Sequence, residues 1–296
     1  MTTPAATAAG PAATTSVAQR PDYRPTSARS RKDTVYTVLG VIFVAVMLFP
    51  VYWMVNASLQ PSGNTLNADL IPLNPSFEGY ATAIEDQGAN LVTSLVISLG
   101  AVVVSLLIAT PAAYALAQFR YRWIDAALLV ILIAQMIPGI VIANALYAAY
   151  NSVGLLNSAV GLILADASHS IPFAILILRA FMQGLPPSIL EAARVDGAGH
   201  VRAFVAIALP VSRNAVVTAG LFAFLFAWSD FLFALTLTTT DDLRPVTLGI
   251  YQYLGTQVSN WGAVMATAVL SSLPAIVLLL IAQKFIAAGA TGGAVK

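Results

Sequence analysis

Long stretches without a charged side chain recur along this sequence, and no other feature restricts its fold so severely. From Val35 to Val55, and again from Leu91 to Ala117, no residue carries a charge and most are apolar. A helix rises about 1.5 Å per residue, so ~20 such residues cross the ~30 Å hydrocarbon layer of a bilayer. Inside lipid every backbone N–H and C=O must be bonded internally, which leaves helices or closed barrels. Apolar runs this long, without strand alternation, select helices. Composition agrees. Hydrophobic residues make up 58% of the chain and charged ones only 9%, against roughly 25% charged in a soluble domain. The absence of cysteine excludes disulfides and thiolate metal sites.

The pattern predicts an all-α, polytopic membrane protein with six transmembrane helices. They are expected at Val35–Val55, Leu91–Ala117 with Pro111 inside, Ala126–Tyr150 with a kink at Pro138, Leu156–Phe181 with Pro172, Asn214–Leu237, and Trp261–Phe285. Residues 1–33, rich in Ala, Thr, Pro and Ser, read as a disordered tail; residues 34–288 form the membrane domain and 289–296 a second tail. The basic cluster Arg29, Arg31 and Lys32 precedes a run too long for a cleaved signal. Arg120 and Arg122, then Arg194, Arg202 and Arg213, fall in loops on the same side as both termini, while the opposite loops carry only Arg244. The positive-inside rule makes that side cytoplasmic.

On this reading the stretch 183–212 lies inside the cell. Pro186 and Pro187 end what precedes, Ser188 and Glu191 have capping-box spacing, and Gly197 suits a left-handed helix stop. A second short helix is expected from His200 to Leu209, stopped by Pro210. Two short helices at a glycine corner make a compact knob, with Ala192 and Ala193 as a small-residue surface that another backbone can approach.

Glu191-Ala192-Ala193, three residues, Gly197, nine residues, Ile207, one residue, then Leu209-Pro210 resembles the EAA loop of ABC importer permeases. The segment Trp228-Ser229-Asp230-Phe231 and the terminal Gln283-Lys284-Phe285 to Gly293-Ala294-Val295-Lys296 are similar to MalG-type carbohydrate permeases; Ala290 stands where that group has Leu. The resemblance covers about residues 35–296. It implies a type I ABC importer permease with the MetI-like fold in a bacterial plasma (inner) membrane. Implied partners are a second, MalF-like permease, two ATPase subunits that carry ATP and Mg, and an extracytoplasmic sugar-binding protein. It also implies that Glu191, Ala192, Ala193, Arg194, Asp196, Gly197, Ile207, Leu209 and Pro210 couple to the ATPase. No cofactor or nucleic acid is expected on this chain, which lacks a phosphate loop.

Ionisable groups within spans mark pathways or pairings. Asp166 and His169 share a face of the fourth span, as translocation path or as a structural pair. Asp230 either lines a substrate cavity or caps a kink beside Trp228. Asn144 either bonds across helices or faces the path. Three rivals stay open: a permease for a non-sugar solute, an ion-gradient carrier using Asp166 and Asp230, and an intramembrane enzyme using Asp166 and His169.

Overall fold

The computed structural model describes residues 31–61, 69–119, 121–240, 242–255 and 260–292, and no strand occurs among them. The expectations for most of the N-terminal tail, for Arg120 and for the last four residues lie outside the described residues. The chain divides after Pro50 into two compact units. In the first, the described residues form the leading part of α1 (Arg31–Ser58). Every side chain from Asp33 to Pro50 is exposed and most are apolar, a composition suited to lipid rather than water.

The second unit is built around α2 (Glu78–Gln118) and α5 (Ala159–Gln183). With 41 residues, α2 measures ~60 Å, twice the hydrocarbon thickness. Its leading part carries Glu78, Glu85 and Asp86 and projects beyond the apolar stretch from Leu91. Along its inner face run Ala101, Ser105, Ala109 and Ala113, all buried. Small residues let helix backbones approach closely where no hydrophobic effect drives association. Ser105 and Ser170 meet across the α2–α5 seam with their hydroxyls 2.7 Å apart. Helices α9 (Arg213–Trp228) and α12 (Trp261–Gly292) complete the bundle against α2.

Prolines shape the spans unequally. Pro111, Pro172 and Pro274 sit inside unbroken helices. At Pro138 the third span breaks rather than kinks: α3 (Trp123–Ala134) and α4 (Gly139–Val153) meet at 93°. A proline disfavours helical geometry in the residue before it, and Pro138 itself takes ψ 131°. Among the described residues, four helices are each long and apolar enough to span; two bent pairs raise the number to six if each crosses as one. At the end of the chain, α12 continues to Gly292, past the Phe285 expected as the end of the sixth span. The alanines at 287, 288 and 290 are strong helix formers.

A close backbone approach joins the projecting start of α2 to the start of α12. A Cβ added at Gly79 would lie 2.8 Å from the carbonyl carbon of Gly262. Gly79→Val is therefore expected to destabilise the purified protein by about 1–3 kcal/mol, read as a lower melting temperature in detergent. Gly88→Ala, whose new methyl meets only Ile84 at 3.9 Å, should melt with the parent.

Candidate functional site

The knob forms, by a different route at its start. Helix α6 spans Pro187–Val195 with Pro186 in the N-cap position, so Ser188 lies inside the first turn and makes no cap bond. The expected capping box is absent because Pro187, with its fixed φ and no N–H to leave unpaired, opens the helix instead. The end is as the sequence suggests. Gly197 takes φ +79°. The Gly197 N–H donates to the Arg194 carbonyl at 3.0 Å and the Ala198 N–H to the Ala193 carbonyl at 2.9 Å. These are the two bonds of a Schellman stop.

Leu190 and Ala193 are both buried, and Leu190 joins a core with Tyr114, Leu178, Met182 and Ala203. Leu190 therefore fixes the knob to the bundle, and Ala193 does not share the outer surface with Ala192. That outer surface presents Glu191, Ala192, Arg194, Val195 and Asp196, all exposed. Val195 is 87% exposed, an apolar side chain at the tip of the helix.

The return segment does not stop at Pro210. Helix α7 (His200–Ala203) passes into a π-helical turn, Phe204–Ala208, and then α8 (Leu209–Val211). The wider turn is a device that absorbs local irregularity in a helix, and here it lies just before the residue that lacks an N–H. The path ends at Ser212, where the chain bends by 78° into α9. Ile207 packs half-buried against the core, Leu209 is half-buried and Pro210 exposed. Ser212 is fully buried and its hydroxyl finds no partner among the described residues. Packing and backbone bonds alone hold this elbow.

The polar groups inside the bundle divide. Asp230 breaks the fifth span: its carboxylate accepts from the Phe233 N–H at 3.2 Å and the Ala234 N–H at 3.0 Å, capping α10 (Leu232–Leu237). The kink-capping role is thus filled. Trp228 stacks on Phe224 at 5.4 Å and donates its indole N–H to the Ser271 carbonyl at 2.9 Å, tying α9 to α12. Asp166 is buried and lies within electrostatic reach of Asp230. No hydrogen bond or ion pair joins it to His169 among the described residues. His169 is exposed, edge-on to Phe226 and Phe233. Helical spacing put the two on neighbouring positions but aimed them apart. Asn144 is exposed on α4.

Two ties on the opposite side escaped sequence reading. Asn157, at φ +56°, accepts from the Thr239 and Thr240 N–H groups at 2.6 and 3.1 Å, clamping the α4–α5 turn to the end of α10. Asparagine tolerates left-handed backbone, and that was the available signal. Helix α11 (Val246–Gly255) docks on α2, with the Val246 N–H donating to the Ser94 hydroxyl at 2.8 Å and the Tyr253 hydroxyl to Asp86 at 2.7 Å. Burial first, and then the bond to Asp86, push Tyr253 up to about 12. The phenol therefore remains a donor throughout the physiological range.

Residues 109–291 match the family model described as binding-protein-dependent transport system inner membrane component. The chain is 33% identical to the trehalose transport system permease protein SugB of Mycobacterium tuberculosis, over 90% of this chain and 99% of the relative. It is 29% identical to the trehalose/maltose transport system permease protein MalG of Thermococcus litoralis, over 88% and 95%. Among solved structures, a bacterial ABC transporter involved in alginate import superposes with a TM-score of 0.73 at 22% identity, covering 86% of this chain and 98% of that one. That likeness establishes the fold.

Removal of the Asp230 cap should be measurable. Asp230→Ala is expected to cost about 1 kcal/mol in detergent unfolding, whereas Asp230→Asn, which keeps an acceptor oxygen, should lose less than half of that. Equal losses would mean that the charge, not the cap, matters.

Proposed function

The chain belongs to the family of binding-protein-dependent transport system inner membrane components and is a membrane-embedded permease subunit of an ABC importer, and on that premise we propose that it carries a sugar or oligosaccharide inward, driven by ATP bound to partner subunits. The α6 knob is the observation that carries the coupling role. It is anchored by buried Leu190, stopped by Gly197, and presents an exposed, partly apolar tip. Burying a valine-sized side chain contributes about 1.5–3 kcal/mol, which a partner cleft closing over Val195 would gain. The names of the relatives, which concern trehalose and maltose, support a carbohydrate cargo.

In this reading both termini and the knob face the cytoplasm. Two ATPase subunits bind there, one on this chain and one on a second, related permease. An extracytoplasmic binding protein delivers cargo on the side of α11. Closure of the ATPase dimer draws the two knobs together. Because the knob is continuous through α7, the π turn and α8 with the Ser212 elbow, a push on α6 reaches α9 directly. The elbow is where a rotation would be taken up, since its hydroxyl holds no bond that must break. Glu191, Ala192, Arg194 and Asp196 make the contact; Ala193, Gly197, Ile207, Leu209 and Pro210 keep its shape. Asp230 and Trp228 hold the path-side break in the fifth span, with Asp166, His169 and Asn144 close to the route of the cargo.

The experiment is a coupling assay on the complete complex in lipid. Gly197→Asp forces a side chain into left-handed backbone, at roughly 1–2 kcal/mol, and Glu191→Lys reverses a contact charge. Each should insert and assemble, yet lower transport-linked ATP hydrolysis roughly tenfold. Gly199→Ala is the control. Gly199 has ordinary extended geometry and open space around it, so its coupling should match the parent. Normal coupling in Gly197→Asp and Glu191→Lys at normal assembly would remove the coupling role from α6.

A further inference from the structure

Where α2 ends and α3 begins, a cleft of about 550 Å³ opens between those two helix ends and the last turns of α5. Its polar lining is Gln118, Arg122, Asp125, Arg179 and Gln183. Arg179 is held in place: its Nε donates to the Leu116 carbonyl at 3.2 Å, in the final turn of α2 where carbonyls lack helical partners. That bond uses one of five guanidinium donors and leaves four on a side chain that lines the cleft. Neither arginine makes an ion pair with a carboxylate among the described residues, although Asp125 lines the same space. The N-terminus of α3 opens there too, with Arg122 in the cap position and no side-chain cap bond. Two guanidinium groups against the single carboxylate of Asp125, beside a positive helix end, favour an oxyanion, and the planar fork suits phosphate.

The surroundings specify the rest of the ligand. At the rim of the cleft, Tyr121, which lines it, stacks on Trp123 at 6.3 Å and 12°, an aromatic pair of the kind found at headgroup depth. From there α3 presents Leu129, Val130, Leu132 and Ile133, all at least half exposed, as a continuous apolar track. A soluble phosphate would use the guanidinium groups and leave that track unoccupied. An amphiphile uses both.

We propose that this cleft binds the phosphodiester headgroup of an anionic phospholipid, with its acyl chains lying along α3. Basic pockets between helix ends on the cytoplasmic side take such headgroups by the same electrostatics. The leaflet assignment rests on the permease orientation proposed above; the binding chemistry does not. A bound lipid would bridge the ends of α2, α3 and α5, the last of which leads within a few residues into α6. The headgroup therefore sits where it would brace the base of the knob.

The test is direct lipid binding by the full chain, purified with its partner subunits and titrated with phosphatidylglycerol or phosphatidylcholine, with bound lipid counted by native mass spectrometry. Phosphatidylglycerol should bind at least tenfold more tightly than phosphatidylcholine. Arg122→Gln should cut that preference about fivefold, from the loss of one basic group near the surface. Arg179→Lys keeps the charge but not the fork, and should retain part of the preference. Asp125→Asn removes the opposing charge and should strengthen phosphatidylglycerol binding, an effect that a merely structural role for these residues would not produce. Equal affinity for both lipids, or an unchanged preference in Arg122→Gln, overturns the proposal. Displacement of phosphatidylglycerol by millimolar inorganic phosphate also overturns it, since the ligand would then be a soluble anion. These outcomes are independent of uptake: a chain that fails to couple to ATP hydrolysis sinks the transport reading and leaves lipid binding as measured.

Discussion

Every helix here obeys one requirement: backbone polar groups inside hydrocarbon must find partners within the protein. Where the helical ladder runs unbroken, as in α2 and α5, the chain meets it without side-chain help. At three helix ends a side chain intervenes, whereas the breaks at Pro138 and Ser212 have no side-chain cap. Asp230 accepts two N–H groups at the gap between α9 and α10. Arg179 takes a carbonyl at the end of α2, and Asn157 takes two N–H groups past the end of α10. The few strong polar residues of this sequence are thus concentrated at interruptions. The interruptions in turn decide which spans are bent.

The second consequence concerns rigidity. The knob is stiff because its stop is a backbone motif at Gly197 and its underside is part of the bundle core. Tyr114 and Phe204, 5.1 Å apart, join the α2 wall to the π turn behind it. Between this firm knob and α9 lies the Ser212 elbow, held by packing and backbone bonds. In the proposed reading, this knob and elbow together would pass a displacement from a partner ATPase to a membrane helix.

Much of this was legible in the sequence because lipid is an unforgiving solvent: apolar runs of spanning length can be little else, and Gly197 followed its left-handed signal. What the sequence obscured was direction. Ala192 and Ala193 look alike, yet the helix turns one outward and the other into the core. Asp166 and His169 have the spacing of a pair, but tertiary packing leaves one buried and the other exposed among phenylalanine rings. Ser188 and Glu191 have the letters of a capping box, and Pro187 begins the helix too early for them to form one. Pro210 reads as a stop, but the π turn carries the chain through it. Each difference is a local rule overridden by a neighbouring proline or by packing, neither of which a motif records. The functional family was readable because its loop spacing is long and specific, whereas polar residues within spans carry no such pattern.

The central claim is that this chain works as one permease in a multi-subunit, ATP-driven importer. The most direct measurement is mild-detergent purification of the tagged full-length chain from its native membrane, with companions identified by mass spectrometry. Recovery of a second polytopic permease together with an ATPase carrying a phosphate loop is the predicted result. Recovery of this chain alone, competent for gradient-driven uptake once reconstituted, would contradict it.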